Sequence, residues 1–346
     1  MANLNKHDVL FLSSNKYKSL AVLIEKSYDL KIDSVEFPSF ISFTSRKAII
    51  HTNKGIFFLK EKPQYSDDKL SREKSASFQK YASTKLDIVP KILTTVSGQD
   101  YILWKKRYFF LTEYKEGRTY NGSDSDVKAM LIALQKLNNC GKDFVSEKDI
   151  SQNIIKKIES YEVASLVPLI EKYIKSDSEK ETYQRILKLF EKLKSEYLEI
   201  PKSEYLMSHS DFIVFNLIFK NDKVLAINDF DNAKCLPKIH DLAEFLVSAT
   251  LLNYNGSVTN MKLPVLLNPD KSKFQIITKS YANDFSLNKS DFKLLAVVAE
   301  IVWAWTLCLS ILKEDYTISD LSPVISLLEK NYLSGLIRQN FELESF

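Results

Sequence analysis

The residues with the clearest chemistry lie between Met207 and Asp231. The segment Met207-Ser208-His209-Ser210-Asp211-Phe212-Ile213-Val214-Phe215-Asn216 contains H-x-D-x-x-x-x-N. At that spacing an Asp can take or orient a hydroxyl proton while an Asn five residues on holds a divalent metal, as phosphoryl transfer requires. An apolar run (Leu217 to Phe219), a polar turn (Lys220-Asn221-Asp222-Lys223) and a second apolar run (Val224 to Ile227) then read as a β-hairpin. Its second strand delivers Asp229 beside the first motif. Phosphoryl transfer needs one carboxylate at the attacking hydroxyl, and a separate carboxylate and amide on the metal that bridges the phosphates. Asp211 is the candidate for the first role, and Asn216 with Asp229 for the second, on Mg²⁺.

The runs H-S-D-F-I-V-F-N, I-N-D-F-D-N-A and K-I-H-D-L-A-E-F-L resemble the signature of the aminoglycoside phosphotransferase and choline kinase family. These are small-molecule kinases with a protein-kinase-like fold. The resemblance is densest over residues 207–246 and extends more weakly back through most of the chain. It implies an α+β, bilobal architecture: a small antiparallel-sheet lobe over residues 1–112, a hinge at 113–117, and a larger helical lobe over 118–346. ATP and Mg²⁺ are the implied nucleotide and metal, and the partner is a small molecule carrying a hydroxyl acceptor. In the family the Asp of D-L-A braces the catalytic loop, here Asp241. His209 fits a buried histidine that orients the loop rather than a base. Asp231 can assist at the metal or at the acceptor.

The elements that must position these groups come earlier. Residues 14–27 place Leu20, Leu23 and Ile24 on one helical face. Strand-like runs follow at Val35 to Phe43, Lys47 to Thr52 and Ile56 to Lys60, the last two joined by Asn53-Lys54-Gly55. Lys60 closes Gly55-Ile56-Phe57-Phe58-Leu59-Lys60, where the resembled family keeps its phosphate-pairing lysine, although any strand can end in a solvated lysine. The helical run from Ser71 is similar to the family's R-E-x-x-A and offers Glu73 as the partner that would hold the Lys60 ammonium at the phosphates. Tyr101 to Trp104 and Tyr108 to Thr112 form a second hairpin. The latter strand runs into Glu113-Tyr114-Lys115-Glu116-Gly117, which resembles the family's hinge, where backbone groups meet the adenine edge. One departure stands out. A phosphate-covering loop normally carries glycines so that backbone N–H groups can approach the anion. Phe37 to Ser45 has none, leaving the hydroxyls of Ser42, Thr44 and Ser45 as donors.

Beyond the hinge the pattern turns helical: Asp124 to Asn139 with Ser123 as a cap, then 149–175, interrupted near Pro168, and 178–199, stopped by Pro201. Residues 257–346 are mostly helical. Leu294 to Leu312 is apolar enough to imitate a membrane span, but Glu300 lies inside it, where a carboxylate costs roughly 2–3 kcal/mol. A buried helix is the expectation, with Trp303 and Trp305 in the core. Glu300 and Trp303, three apart, are a second option as an anionic and aromatic seat for a cationic acceptor.

Composition bounds the alternatives. The 346 residues are 45% hydrophobic with Lys+Arg 48 against Asp+Glu 44, the charges spread along the chain, which argues against a dedicated nucleic-acid binder. Three widely spaced cysteines and a start without a signal-peptide core point to a reduced, cytoplasmic setting and no membrane partner. Four scattered histidines suggest no zinc-type site, and no G-x-S-x-G elbow occurs. The rival class is a catalytically inactive kinase fold serving as a binding or scaffold protein, which the glycine-poor opening would suit. A candidate at every catalytic position argues against it. Within the superfamily, the length, helical insert and glycine-poor opening look most like the spore-coat kinase-like branch, with homoserine kinase-like and choline kinase-like members as runners-up and an antibiotic-modifying enzyme also open.

Overall fold

The computed structural model describes residues 17–36, 46–62, 69–145, 167–202, 204–251, 269–284, 287–312 and 316–340. The opening-loop stretch 37–45, with Ser42, Thr44 and Ser45, and most of the 149–175 segment lie outside them. The chain divides into two compact units. One comprises Met1–Thr119 with Leu217–Lys220 and Leu225–Asn232; the other comprises Tyr120–Asn216, Asn221–Val224 and Ala233–Phe346.

The first unit is a helix-flanked antiparallel sheet. Helix α1 (Lys18–Tyr28) buries Leu20, Ile24 and Tyr28, spaced four apart on one face, and ends at Asp29 in the left-handed region. Strands β1 (Ile32–Glu36), β2 (Lys47–Thr52), β3 (Gly55–Lys62), β4 (Ile102–Trp104) and β5 (Arg107–Glu113) pair in the order β1-β2-β3-β5-β4. Between β3 and β4 runs helix α2 (Lys69–Lys85). Lys105 and Lys106 both have positive φ, so the β4–β5 connection is a two-residue turn whose twist suits the hairpin. One sheet face packs Ala48, Ile50, Leu59, Phe109 and Leu111 against α1, and Trp104 Nε1 donates to Ser19 Oγ at 3.1 Å. The opposite face carries Lys47, Phe58, Lys60 and Lys62, because side chains alternate along a strand. In β2–β3 the register sets Lys47 directly opposite Lys60.

In the second unit, helix α3 (Asp124–Phe144) is capped by Ser123, whose hydroxyl accepts from Asp126 N–H at 3.2 Å. It packs on strand β6 (Tyr205–Ser208), which leads into the Asp211 loop. Gly141 makes that approach possible: a Cβ there would stand 2.2 Å from the Met207 carbonyl oxygen. After a short helix α4 (Val167–Glu171), helix α5 (Asp177–Glu199) buries Ile186, Leu189, Phe190, Leu193 and Tyr197. Past β6 the chain crosses to the first unit for most of the β7 (Leu217–Lys220) and β8 (Lys223–Ile227) hairpin, and then returns as β9 (Lys234–Pro237), which pairs with β6. Asn221 and Asp222, both with positive φ, turn β7 into β8.

Helices α6 (His240–Thr250), α7 (Lys271–Asp284), α8 (Lys289–Leu312), α9 (Ser322–Glu329) and α10 (Tyr332–Asn340) complete the unit. The span-like segment lies in α8, packed against α6, α5 and α10, with 83% of its most apolar stretch buried. It is a core helix because its neighbours cover it on most sides, Glu300 included. Glu300 Oε1 accepts from the Ser334 N–H and hydroxyl, at 3.2 and 3.3 Å. Trp303 is fully buried, whereas Trp305 is only half-buried. Cys140, Cys235 and Cys308 are buried free thiols, and burial pushes the Cys308 thiol up to about 12.

Candidate active site

The Asp211 loop is gripped from one helix. Asp241 Oδ2 accepts from the His209 N–H and Asp241 Oδ1 from the Ser210 N–H, both at 2.7 Å. Glu244 Oε2 accepts from the Phe212 N–H at 3.0 Å, and Ser248 Oγ from the Val214 N–H at 3.4 Å. Positions 241, 244 and 248 share one face of α6, since residues three and four apart stack along a helix. The grip holds Ser210 at φ 69, a conformation non-glycine residues seldom adopt. His240, Asp241 and Glu244 gather closely enough to suggest a metal cluster. The Asp241 oxygens, however, are both committed to backbone N–H groups, and so is one of Glu244, which makes this a brace.

Within the loop, Phe212 and Val214 are buried anchors, and Val214–Asn216 form a short 3₁₀ turn. The turn brings the Asn216 amide back on Asp211: Nδ2 donates to the Asp211 carbonyl at 2.8 Å and to its carboxylate Oδ2 at 2.9 Å. With both contacts made through nitrogen, Asn216 keeps its amide oxygen for a metal. Asp229 offers carboxylate oxygens. Such hard oxygen donors fit Mg²⁺ by their chemistry. Asp229 itself has φ 72, a second non-glycine residue in the left-handed region at a motif position.

Asp229 and Asp231 sit in the first unit with the lysine-bearing face of the sheet. The Lys60 ammonium lies on Asp229 Oδ1 and, at 2.6 Å, on Asp231 Oδ2. Lys47 Nζ reaches Asp229 Oδ2 at 3.3 Å, and Lys62 Nζ lies 3.9 Å from Asp231 Oδ1 and 2.7 Å from Ser75 Oγ. Burial opposes the Lys60 charge, but the attraction of Asp229 and Asp231 and their hydrogen bonds outweigh it and raise the pKa above the usual lysine range. For Lys47 the balance reverses: burial dominates, Lys60 adds repulsion, and Asp229 with Asp231 only partly compensate, so its pKa is lowered. A cavity of about 40 Å³ lined by Phe58, Lys60, Lys62, Ser75, Thr112 and Asp231 lies beside this cluster.

The pairing of Lys60 with Glu73 needs correction. The carboxylates acting on the Lys60 ammonium are those of Asp229 and Asp231, and Glu73 stands exposed on α2. From α2, Ser75 meets this face by accepting from Lys62. Ser75 and Ala76 are the buried positions here, so helical phase turns Glu73 outward. The hinge candidates close the sheet edge. Glu113 N–H bonds the Lys91 carbonyl at 2.9 Å and Tyr114 N–H the Ile56 carbonyl at 3.3 Å. Lys115 Nζ pairs with the Glu113 carboxylate at 3.3 Å. Gly117 lets the following chain lie on β7, where Arg118 N–H donates to the Phe219 carbonyl at 2.9 Å; a Cβ at 117 would stand 2.5 Å from that oxygen. Four residues of these clusters had not been singled out: Lys47, Lys62, Glu244 and Ser248. Strand register would have found Lys47, and the i, i+3, i+7 polar positions of an otherwise apolar helix would have found the last two.

An antiparallel N-terminal sheet with one helix inserted, followed by a mostly helical part with a braced H-x-D-x-x-x-x-N loop, is a protein-kinase-like fold. Residues 41–256 match the model of the phosphotransferase enzyme family, and the chain belongs to that family. Solved structures agree at the level of fold. An amicoumacin kinase, solved in complex with AMP-PNP, Ca²⁺ and Ami, aligns with TM-score 0.67 at 15% identity, covering 95% of this chain and 96% of that one. Choline kinase from Cryptosporidium parvum Iowa II aligns at 0.60 and 10% identity, covering 94% and 97%. A microcompartment-associated aminopropanol kinase aligns at 0.60 and 13%, covering 94% and 98%. No curated protein sequence matches the chain significantly.

Proposed function

We propose that this chain is an ATP- and Mg²⁺-dependent kinase that moves the γ-phosphoryl group to a hydroxyl of a small molecule, of amino alcohol, amino acid, sugar or aminoglycoside type. The observation that carries the reading is the Asp211–Asn216 contact inside a loop braced by four backbone hydrogen bonds. It fixes the Asp211 carboxylate through the Asn216 amide, and in this reading that carboxylate receives or orients the acceptor proton. A carboxylate held in that way loses little freedom when the acceptor arrives. In this reading Asn216 and Asp229 would hold Mg²⁺, which would supply positive charge to the transferring phosphoryl group. Lys60 holds phosphate oxygens, Asp231 keeps its ammonium oriented, and backbone groups of Glu113, Tyr114 and Lys115 meet the adenine. His209 and Asp241 shape the loop and do no chemistry. The nucleotide analogues and Ca²⁺ bound to the amicoumacin kinase, and the ADP bound to a spectinomycin phosphotransferase of the same fold, support the choice of nucleotide and divalent cation.

The second reading, an inactive kinase fold that binds partners, is favoured only by the glycine-free stretch from Phe37 to Ser45. ATP consumption measured against amino alcohols, homoserine, sugars and aminoglycosides separates the two. Acceptor-dependent ADP release that needs Mg²⁺ supports the kinase. Nucleotide binding without turnover on any acceptor class supports the binding protein.

A further inference from the structure

We propose that Lys47, on β2, is a second phosphate-binding cation, acting beside Lys60 on the polyphosphate end of the nucleotide. This deepens the kinase reading and rests on it. Lys47 and Lys60 face each other across neighbouring antiparallel strands and converge on the two oxygens of one carboxylate, Asp229.

Like charges placed directly opposite in a sheet are destabilising. A pair of lysines in that register, each side chain almost nine-tenths buried, therefore calls for an anionic reason. Asp229 supplies only part of it. A single carboxylate is neutralised by a single ammonium, and Lys60 already spans Asp229 and Asp231. Lys62, on the same face, comes within 3.9 Å of Asp231, which brings a third ammonium to that face. Surface lysines avoid such crowding by extending into water, because a buried ammonium costs several kcal/mol in lost hydration.

The demand sharpens in the working state. Oxygens of Asp229 that ligate a divalent metal cannot also neutralise two ammonium groups. Lys47 and Lys60 then need other oxygen acceptors, and the phosphates bridged by that metal supply them. The chain's departure from a glycine-rich opening points the same way. Where such loops offer backbone N–H groups to the anion, Phe37 to Ser45 has no glycine. A strand-borne ammonium delivers positive charge from a rigid element. Being a compact point charge, it suits a flexible polyphosphate.

The test is calorimetric titration of wild type, Lys47→Met, Lys47→Arg and Lys60→Met with AMP, ADP and ATP, each with Mg²⁺ and with chelator. Thermal melts of the nucleotide-free proteins report folding. In Lys47→Met, ATP·Mg affinity is expected to fall about 10- to 100-fold, the worth of one charge-assisted hydrogen bond. ADP should lose less, and AMP should change by about twofold or less. Lys47→Arg should recover most of the ATP affinity, which a role in sheet packing alone does not predict. Should Lys47→Met fail to fold, Lys47→Gln carries the same comparison on a shorter, polar side chain. Wild type that binds ATP while the folded neutral variant binds it equally well overturns the inference alone. Wild type that binds none of the three nucleotides overturns the kinase reading, and the inference with it.

Discussion

Two candidate clusters, the Asp211 loop of the second unit and the lysine–aspartate cluster of the first, are held by opposite means. The Asp211 loop is fixed by backbone N–H groups donating to Asp241, Glu244 and Ser248, all buried on one helix. None of those bonds involves a group that the proposed reaction uses. The Lys47–Lys60–Asp229–Asp231 cluster is held by its own charges, the ones the proposed function would turn toward a ligand. On the proposed function the loop would be preorganised whether or not a nucleotide is bound, whereas the cluster would exchange partners when one arrives. Preorganised groups stabilise a transition state without reorganisation at the moment of reaction. Exchangeable ones make binding selective for the correct charge pattern.

The largest effect should follow from removing chemistry without disturbing the brace. Asp211→Asn keeps the shape and an acceptor for Asn216 but loses the charge. Single-turnover transfer should fall about 10²–10⁴-fold, the usual worth of general-base help, with ATP affinity nearly unchanged. Transfer at the wild-type rate removes Asp211 from the chemistry.

The brace itself should show up as stability. Asp241→Ala strands two buried N–H groups that now donate to a carboxylate, at a cost of about 3–5 kcal/mol in urea unfolding. Asp241→Asn retains one acceptor and should lose about half as much. Equal unfolding free energies for wild type and both variants would mean the grip is not what holds the loop.

Glu300 sharpens the contrast among buried acids. It too accepts an N–H, but it is buried in an apolar helix, and desolvation, only partly offset by the Ser334 bonds, pushes its carboxyl from 4.5 up to about 7. The folded chain thus binds this proton more tightly than the unfolded chain. The contribution is fully present below about pH 4.5 and is lost as pH rises through about 7, a swing of about 3 kcal/mol. Glu300→Gln should abolish that part of the pH dependence and gain most, relative to wild type, above pH 7. Parallel stability curves for the two proteins from pH 5 to 8 would contradict the assignment.

The smallest expected effect lies in the exchangeable cluster. Asp229→Asn should remove the Mg²⁺ dependence of ATP binding, worth about tenfold or somewhat more, as changes around metal sites typically are. Titrations with and without Mg²⁺ measure it directly. A variant whose affinity still responds fully to the metal places the ligand elsewhere.

Local pattern made much of this architecture readable. Turn chemistry at Asn53-Lys54-Gly55 and Asn221-Asp222, with apolar alternation around them, marked hairpins that the structure contains. Helical periodicity with a serine cap at 123 marked α3. The lone interior charge at Glu300 distinguished a core helix from a membrane span because only burial against neighbours could accommodate it. Pairings between distant residues were less legible. Lys60 was matched with Glu73, a helix residue that helical phase turns to solvent, while its actual partners lie on the segment after β8. Glu244 and Ser248 look like ordinary helix residues until the loop they hold is in place. Lys47 is hidden for another reason: its importance depends on cross-strand register, which sums over a whole hairpin and has no local signature.

The burial of all three cysteines turns the thiols into a clock for the molecule's own opening. A thiol-reactive dye meets no accessible sulfur in the native chain, so labelling of Cys140, Cys235 or Cys308 can proceed only as fast as the surrounding helices and strands part. Cys140 on α3, Cys235 on β9 and Cys308 on α8 would time three different neighbourhoods of the second unit separately. The same silence leaves a clean background for a fourth, introduced thiol. At Val22 or Leu103, both exposed in the first unit, a cysteine would take up a fluorophore within the dead time of the others. That would give the first unit an optical reporter of its own.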